Sequence, residues 1–200
     1  MTTKVEDEIR RCPWVDTTKP DYVHYHDKEW GVPVYDDRLI FEFLTLESAQ
    51  AGLSWYTVLK KRENYRTAFE NFEPEKIIHF NGKKVEELLQ NQGIIRNRLK
   101  IEATINNAHR FLEVKAEFGS FSKYIWGFVG GNPIINMIRS LSDYQSTSRE
   151  SDALSRDLKK RGFKFLGSTV CYAHMQATGM VNDHSIECFR RSEITGKYKK

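Results

Sequence analysis

Four soft-metal ligands stand in two pairs at opposite ends of this chain. Cys12 and His26 lie near the start, His184 and Cys188 near the finish. If one ion takes all four, the two ends must meet, and any fold that keeps them apart is excluded. A Cys2His2 set in a reducing compartment suits tetrahedral structural zinc, with every coordination position filled by protein. Such a metal is a clasp and not a catalyst. The spacing His184-x3-Cys188 puts both ligands on one face if that segment is helical. The long-range pairing rests on residue inventory alone. The same inventory permits three unrelated buried cysteines among six scattered histidines, and both readings stand at this level.

Two hundred residues, 40% of them hydrophobic and 12% aromatic, suffice for one domain with a sizeable core. The formal net charge of +4 permits nucleic-acid binding without requiring it. Three cysteines cannot form a disulfide framework. The first residues are polar, without the apolar stretch of a secretory signal, and no apolar run reaches membrane-spanning length. The expectation is a cytoplasmic protein with no membrane partner, acting as a monomer.

Helical periodicity runs through nearly every segment, so the predicted class is all-α. Asp36 and Asp37 are N-cap candidates for a helix with Leu39, Phe43, Leu46 and Glu47 on one face, stopped at Gly52. Ser54 caps a second helix, in which Val58, Arg62, Tyr65 and Phe69 share a side. Pro74 opens a short third, and Gly82 and Gly93 bracket another over 84–90. Ile101, Ile105, Ala108 and Leu112 mark a longer amphipathic helix that ends before Gly119. Ser120 or Ser122 starts a short helix through Trp126, although 123–129 also reads as strand. Gly130-Gly131-Asn132-Pro133 is a break, and the Ser- and Thr-rich 140–151 is a loop. A helix over 152–160 stops at Gly162, and Ser168 caps another over 169–178. The organisation is a polar extension over 1–11, a domain over 12–189, and a charged flexible tail over 190–200.

Three constellations bear on chemistry. Glu47 falls on the apolar stripe of its helix, where a carboxylate is costly unless hydrogen-bonded or useful; a stripe-edge side chain reaching solvent is the plainer reading. Trp14, Tyr22, Tyr25, Trp30, Tyr35, Trp55 and Tyr56 crowd the first 56 residues. Their flat faces either stack on a planar ligand such as a nucleobase or fill a small core. The segment from Lys159 to Thr169 ends one helix, turns between glycines and opens another beside lysines. Its free amides suit a phosphate site, in the manner of a helix-hairpin-helix DNA-binding element; the same pattern is also that of an ordinary Gly-bounded hairpin in a helical bundle. A second basic face at Arg96, Arg98 and Lys100 reads more simply as a solvated helix end. Cys171 reads as a small core residue.

These segments together resemble the 3-methyladenine DNA glycosylase I family, often called Tag, over nearly the whole chain. The resemblance is carried by Arg11-Cys12-Pro13-Trp14, Tyr25-His26-Asp27-Lys28-Glu29-Trp30-Gly31, and Leu46-Glu47 followed by Gln50-Ala51-Gly52-Leu53-Ser54-Trp55. Lys60-Lys61-Arg62-Glu63, Gly93-Ile94-Ile95-Arg96, Lys160-Arg161-Gly162-Phe163-Lys164-Phe165 and Val181-Asn182-Asp183-His184 also match. The resemblance implies a helix-hairpin-helix DNA glycosylase fold with zinc tethering the N- and C-terminal segments through Cys12, His26, His184 and Cys188. It implies release of 3-methyladenine from alkylated double-stranded DNA, by hydrolysis and without lyase activity. Many relatives in the superfamily carry a catalytic Asp where this chain has Asn182. Ser48-Ala49 departs from some relatives in the family.

The site implied by the resemblance is as follows. Gly52 and Leu53 enter the duplex, with Leu53 as the wedge. Lys160, Gly162, Lys164, Gly167 and Ser168 hold the backbone. Tyr25 and Trp55 sandwich the flipped base, Tyr22 and Glu47 read its edge, and Trp14 and Trp30 wall the pocket. Glu47 is the expected catalytic residue, because a cationic base already has a weak glycosidic bond and needs little further help. The alternative from another class is a zinc-clasped helical protein that recognises damage without cutting.

Overall fold

A computed structural model describes residues 9–198. It is mostly helical, as the periodicity predicts. The helices are α1 (Pro20–Lys28), α2 (Asp37–Gln50), α3 (Trp55–Leu59), α4 (Arg62–Ala68), α5 (Pro74–Ile77), α6 (Gly82–Gln90) and α7 (Arg98–Phe118). They continue with α8 (Phe121–Trp126), α9 (Arg149–Lys160), α10 (Ser168–Ala177) and α11 (Phe189–Tyr198). Most starts are written locally. Asp36, Ser54, Asn81, Asn97 and Ser120 each accept from a backbone N–H in the first turn of α2, α3, α6, α7 and α8. Asp37 acts at long range instead, accepting from Phe121 N and Ser122 N at 3.1 and 2.8 Å.

Four expectations need correction, and one ambiguity is resolved. The single helix expected after Ser54 is two, α3 and α4, broken at Lys60–Lys61. The ambiguous 123–129 is helical throughout, as the end of α8 and a 3-10 turn. Helix α9 starts at Arg149 behind a Ser148 cap, inside the expected loop. Ser168 does not cap α10: it is the first helical residue, and its hydroxyl bonds Asp152 and Ser151 of α9. The expected flexible tail carries α11, whose Ile194 is buried, and Asn182 Nδ2 donates to its Thr195 hydroxyl.

The chain is also not purely α. Strands β1 (Ile134–Ile135) and β2 (Val181–Asn182) pair in parallel, and a further bridge joins Ile138 to Ser185. This short ladder lays 134–138 beside 181–186 and fixes the approach of Asp183 and His184. Two clusters of buried side chains flank α2. The larger includes Phe41, Leu44, Phe69, Phe72, Phe111, Phe121, Leu154, Leu158, Tyr172 and Met175. The smaller gathers Cys12, Tyr25, Trp30, Phe43, Ala177 and Cys188, and Trp55 touches both. From Ile40 to Ala49 every residue of α2 is buried, so a polar side chain there must find a partner or a cavity.

No helix among the described residues is long and apolar enough to cross a membrane.

Candidate active site and metal centre

Cys12, His26, His184 and Cys188 converge, all buried, with their ligand atoms within 4.8 Å of one another. The His26 Nε2 to Cys188 Sγ separation is 3.5 Å. Atoms bound at about 2.0–2.3 Å around one tetrahedral centre lie roughly 3.3–3.8 Å apart. The donor set therefore fits a metal such as zinc. The orienting contacts fit as well. His26 Nδ1 meets Asp27 at 2.7 Å, and Asp27 is gripped by Arg11. His184 Nδ1 meets Asn182 Oδ1 at 3.0 Å. These contacts leave both Nε2 atoms turned to the centre, and His184 Nε2 is buried with no hydrogen-bond partner. Burial, then His26, pushes the His184 pKa down to about 2, which keeps the ring in the neutral, ligating form. The hydrogen bond the two thiols share pulls Cys12 down to about 7 and pushes Cys188 up, so the pair shares one proton with Cys12 as the more acidic thiol.

The route to convergence differs from the expected one. His184 and Cys188 do not share a helix face; they flank a turn closed by Cys188 N to Ser185 O at 2.9 Å. Gly31 makes room for the cluster. Its φ is +76°, and a Cβ there would lie 2.6 Å from His184 Cε1, so only glycine fits.

Beside this centre lies a cavity of about 380 Å³ lined by Trp14, Tyr22, Tyr25, Trp30, Glu47 and Trp55, with Gln50, Leu141, Tyr144, Gln145, Ala173 and Gln176. All six pocket residues expected from the sequence meet here. The cavity and the ligand cluster share walls. Trp30 lies edge-on to His184, with centroids 4.6 Å apart, and Trp14 to His26 at 5.3 Å. Sequence reasoning missed the contribution of Leu141, Tyr144, Gln145, Ala173 and Gln176. They come from a loop and from α10, and no local pattern announces that tertiary packing brings them to the pocket.

The expected sandwich needs revision. The Tyr25 and Trp55 rings touch each other, with centroids 5.3 Å apart and planes at 45°. A base between them needs about 3.5 Å on each side, hence roughly 7 Å in all. In this geometry no base fits between the two rings. Trp55 Nε1 is buried without a partner, a donor aimed at nothing in the protein.

Glu47 is 4% exposed, so it does not reach solvent at the stripe edge. It makes no ion pair or hydrogen bond among the described residues, and burial alone pushes its pKa up to about 8. The contrast on the same helix is instructive. Glu42 is also buried, but it accepts from Arg62 Nε at 2.5 Å and from Arg66 Nη2 at 2.7 Å. Arg62 also pairs with Glu29 and covers the Phe43 ring. Glu42 therefore ties α4 to α2, while Glu47 faces the cavity with its hydrogen-bonding capacity unspent. Spacing in the sequence singles out Glu47 but not the likewise buried Glu42.

The other expected residues lie on the surface. Gly52 and Leu53 follow α2, with Leu53 40% exposed. Lys100 was read as part of a solvated end. It instead braces this loop, donating to Ala49 O and Ala51 O at 2.8 Å. Helices α9 and α10 form a hairpin whose turn holds Gly162 at φ +85°. Asn107 clamps that turn, accepting from Lys164 N at 2.8 Å and donating to Lys164 O at 2.9 Å. Lys160, Lys164 and Gly167 are exposed, and neither lysine pairs with a carboxylate among the described residues. Cys171 is buried at the base of α10, its thiol pushed up to about 12 by burial, as a core residue should be.

A family model for methyladenine glycosylase matches residues 14–191. DNA-3-methyladenine glycosylase 1 of Escherichia coli K12 is 49% identical over 180 residues, covering 90% of this chain and 96% of that protein. A crystal structure of 3-methyladenine DNA glycosylase I superposes with a TM-score of 0.88 at 52% identity, covering 90% and 98% of the two chains. A Staphylococcus aureus structure addressing 3-methyladenine recognition superposes equally well, with a TM-score of 0.88 at 38% identity and coverage of 92% and 97%. With its aromatic cavity, buried carboxyl and Cys2His2 cluster, the chain belongs to the methyladenine glycosylase family.

Proposed function

We propose that this protein is a DNA-repair glycosylase that hydrolyses the N-glycosidic bond of alkylated DNA and releases 3-methyladenine. The observation that carries the reading is Glu47, an unpaired carboxyl at the wall of an aromatic cavity with room for a base. A base in a duplex must be rotated out to reach such a cavity, which costs a few kcal/mol. Lys160, Gly162, Lys164, Gly167 and Ser168 at the α9–α10 hairpin hold the DNA backbone, in the manner of a helix-hairpin-helix element. Gly52 and Leu53 fill the gap left in the stack.

Glu47 reads charge. With a pKa near 8 it is mostly neutral at pH 7. An entering 3-methyladenine is cationic, so its arrival favours the carboxylate, and the proton is released. Ordinary adenine is neutral and gains no such ion pair. On cleavage the bonding electrons stay with the base and cancel its charge. The sugar takes the positive charge, water adds at C1′, and the water proton passes to solvent. No lysine nucleophile is involved, so the product is an abasic site without strand cleavage.

The Cys12, His26, His184 and Cys188 cluster holds one structural zinc, which supplies stability by tethering the N- and C-terminal segments. The protein acts as a monomer in the cytoplasm, where its three thiols stay reduced. A damage-binding protein that does not cut DNA has no use for an unpaired buried carboxyl, which costs stability. The test is incubation with methylated duplex DNA and chromatographic identification of released bases. Binding without release of 3-methyladenine refutes the reading.

A further inference from the structure

Gln176 on α10 contributes a polar group to the cavity that the chemistry above does not use. Its Nε2 donates to Asp183 Oδ2 at 2.8 Å. Asp183 is fully buried. The same oxygen accepts from the Tyr172 hydroxyl at 2.8 Å, and the other accepts from Asn136 Nδ2 at 2.7 Å. A carboxylate only accepts, so the end of Gln176 that faces it must be the NH2 end. The carbonyl oxygen is left on the other side. Among the described residues no donor reaches it, and it is not sealed away as a buried unpartnered atom. The Gln176 main chain is also tied, its carbonyl accepting from Gly31 N at 3.1 Å.

A free glutamine amide turns over and offers a donor or an acceptor as its ligand requires. Gln176 cannot turn without facing its carbonyl against the Asp183 carboxylate. Helices α10 and α2 pack together, so Gln176 and Glu47 border the same cavity from neighbouring helices. We propose that Gln176 Oε1 is a specificity-determining acceptor for the flipped base, and that Asp183 is the positioning residue that keeps it an acceptor. The proposal rests on the glycosylase reading. An adenine-type edge brings an exocyclic amino group, whose two hydrogens can satisfy two acceptors. A guanine-type edge brings an oxo group instead. Acceptor then faces acceptor, and both are desolvated without a partner.

The experiment compares release of 3-methyladenine and 3-methylguanine from the same methylated duplex. The two lesions share the methyl position and differ in the edge. Wild-type, Gln176→Leu and Asp183→Ala proteins are assayed, with circular dichroism and zinc content as checks on folding. In Gln176→Leu the ratio of 3-methyladenine to 3-methylguanine release should fall by about tenfold, the value of one lost hydrogen bond. In Asp183→Ala the amide is free to turn, and the ratio should fall through faster release of 3-methylguanine. A purely structural role lowers both products in proportion. An unchanged ratio in Gln176→Leu overturns the proposal, and that variant decides the matter if Asp183→Ala does not fold. A reduced ratio in Gln176→Leu with a wild-type ratio in Asp183→Ala overturns the positioning role. A wild-type protein that releases neither base refutes the glycosylase reading itself, which separates the two failures.

Discussion

Glu47→Gln should stabilise the fold, and by an amount that depends on pH. Burial raises the Glu47 pKa from 4.5 to about 8 with no compensating partner. Below pH 4.5 the carboxyl is protonated in both folded and unfolded chains and contributes nothing. Between pH 4.5 and 8 the unfolded chain gives up its proton and the folded chain keeps it. The unfolded state then binds fewer protons, so stability falls as pH rises. Above pH 8 both states are ionised and the penalty is complete. At about 1.36 kcal/mol per pH unit, it is about 3 kcal/mol at pH 7 and about 5 kcal/mol above pH 8. That is a large share of the roughly 5–15 kcal/mol typical of a domain. Glutamine has the shape of the protonated acid and cannot ionise, so it escapes the whole penalty. Urea unfolding of both proteins at pH 5, 6, 7, 8 and 9 measures the gap directly. All other titrating groups are common to the pair and cancel. The gap should be small at pH 5, widen through pH 8 and then level off, without a change in m-value. A gap that is constant with pH, or that closes as pH rises, refutes the claim that Glu47 is held unpaired. The same variant should release 3-methyladenine more slowly while its fold stays intact.

Further outcomes are expected. His174 is fully buried with neither ring nitrogen hydrogen-bonded, and burial lowers its pKa from 6.5 to about 3. The unfolded chain protonates first as pH falls through that window, so stability drops by about 3 kcal/mol by pH 4; His174→Phe should remove this loss in acid unfolding curves. Cys188→Ser should abolish the one zinc per chain found by metal analysis. At about 2–4 °C per kcal/mol it should lower Tm by on the order of 10 °C; wild-type protein purified without zinc at wild-type stability counts against the clasp. Lys160→Ala and Lys164→Ala should weaken binding to damaged and intact duplexes alike. Each should reduce the salt slope by about 0.9 per lost phosphate contact, and a loss confined to damaged DNA would move these lysines into the pocket.

What could be read in advance was local. Caps at Asp36, Ser54 and Ser120 depend on a side chain and a backbone amide three residues on, and they lie where the sequence puts them. The break at Lys60–Lys61 escaped notice because an apolar stripe continues across it. The β1–β2 pair escaped because two residues per strand leave no period to detect. Ser168 misled because a serine before a helix usually caps it, yet here Asp152 on the neighbouring helix claims the hydroxyl. Glu47 stood out because its spacing contradicts its charge. Glu42 was passed over, although it is buried more deeply, because its arginine partners come from α4. Gln176 was invisible for the same reason: its role depends on Asp183, which only the β1–β2 ladder brings behind it.

The two carboxyls of α2 also explain why the clasp and the pocket are built as one piece. An unpaired Glu47 costs stability that the fold must recover elsewhere. The recovery is close at hand. Glu42 joins α2 to α4 through Arg62, and Arg62 reaches Glu29, one residue before Trp30. Trp30 lies against His184 and Trp14 against His26, so two walls of the cavity rest on two ligand rings. A metal held by those rings would join the ends of the domain at the same place that the cavity walls rest. Backed by the ligand cluster, the cavity presents Glu47 uncompensated to a cationic base.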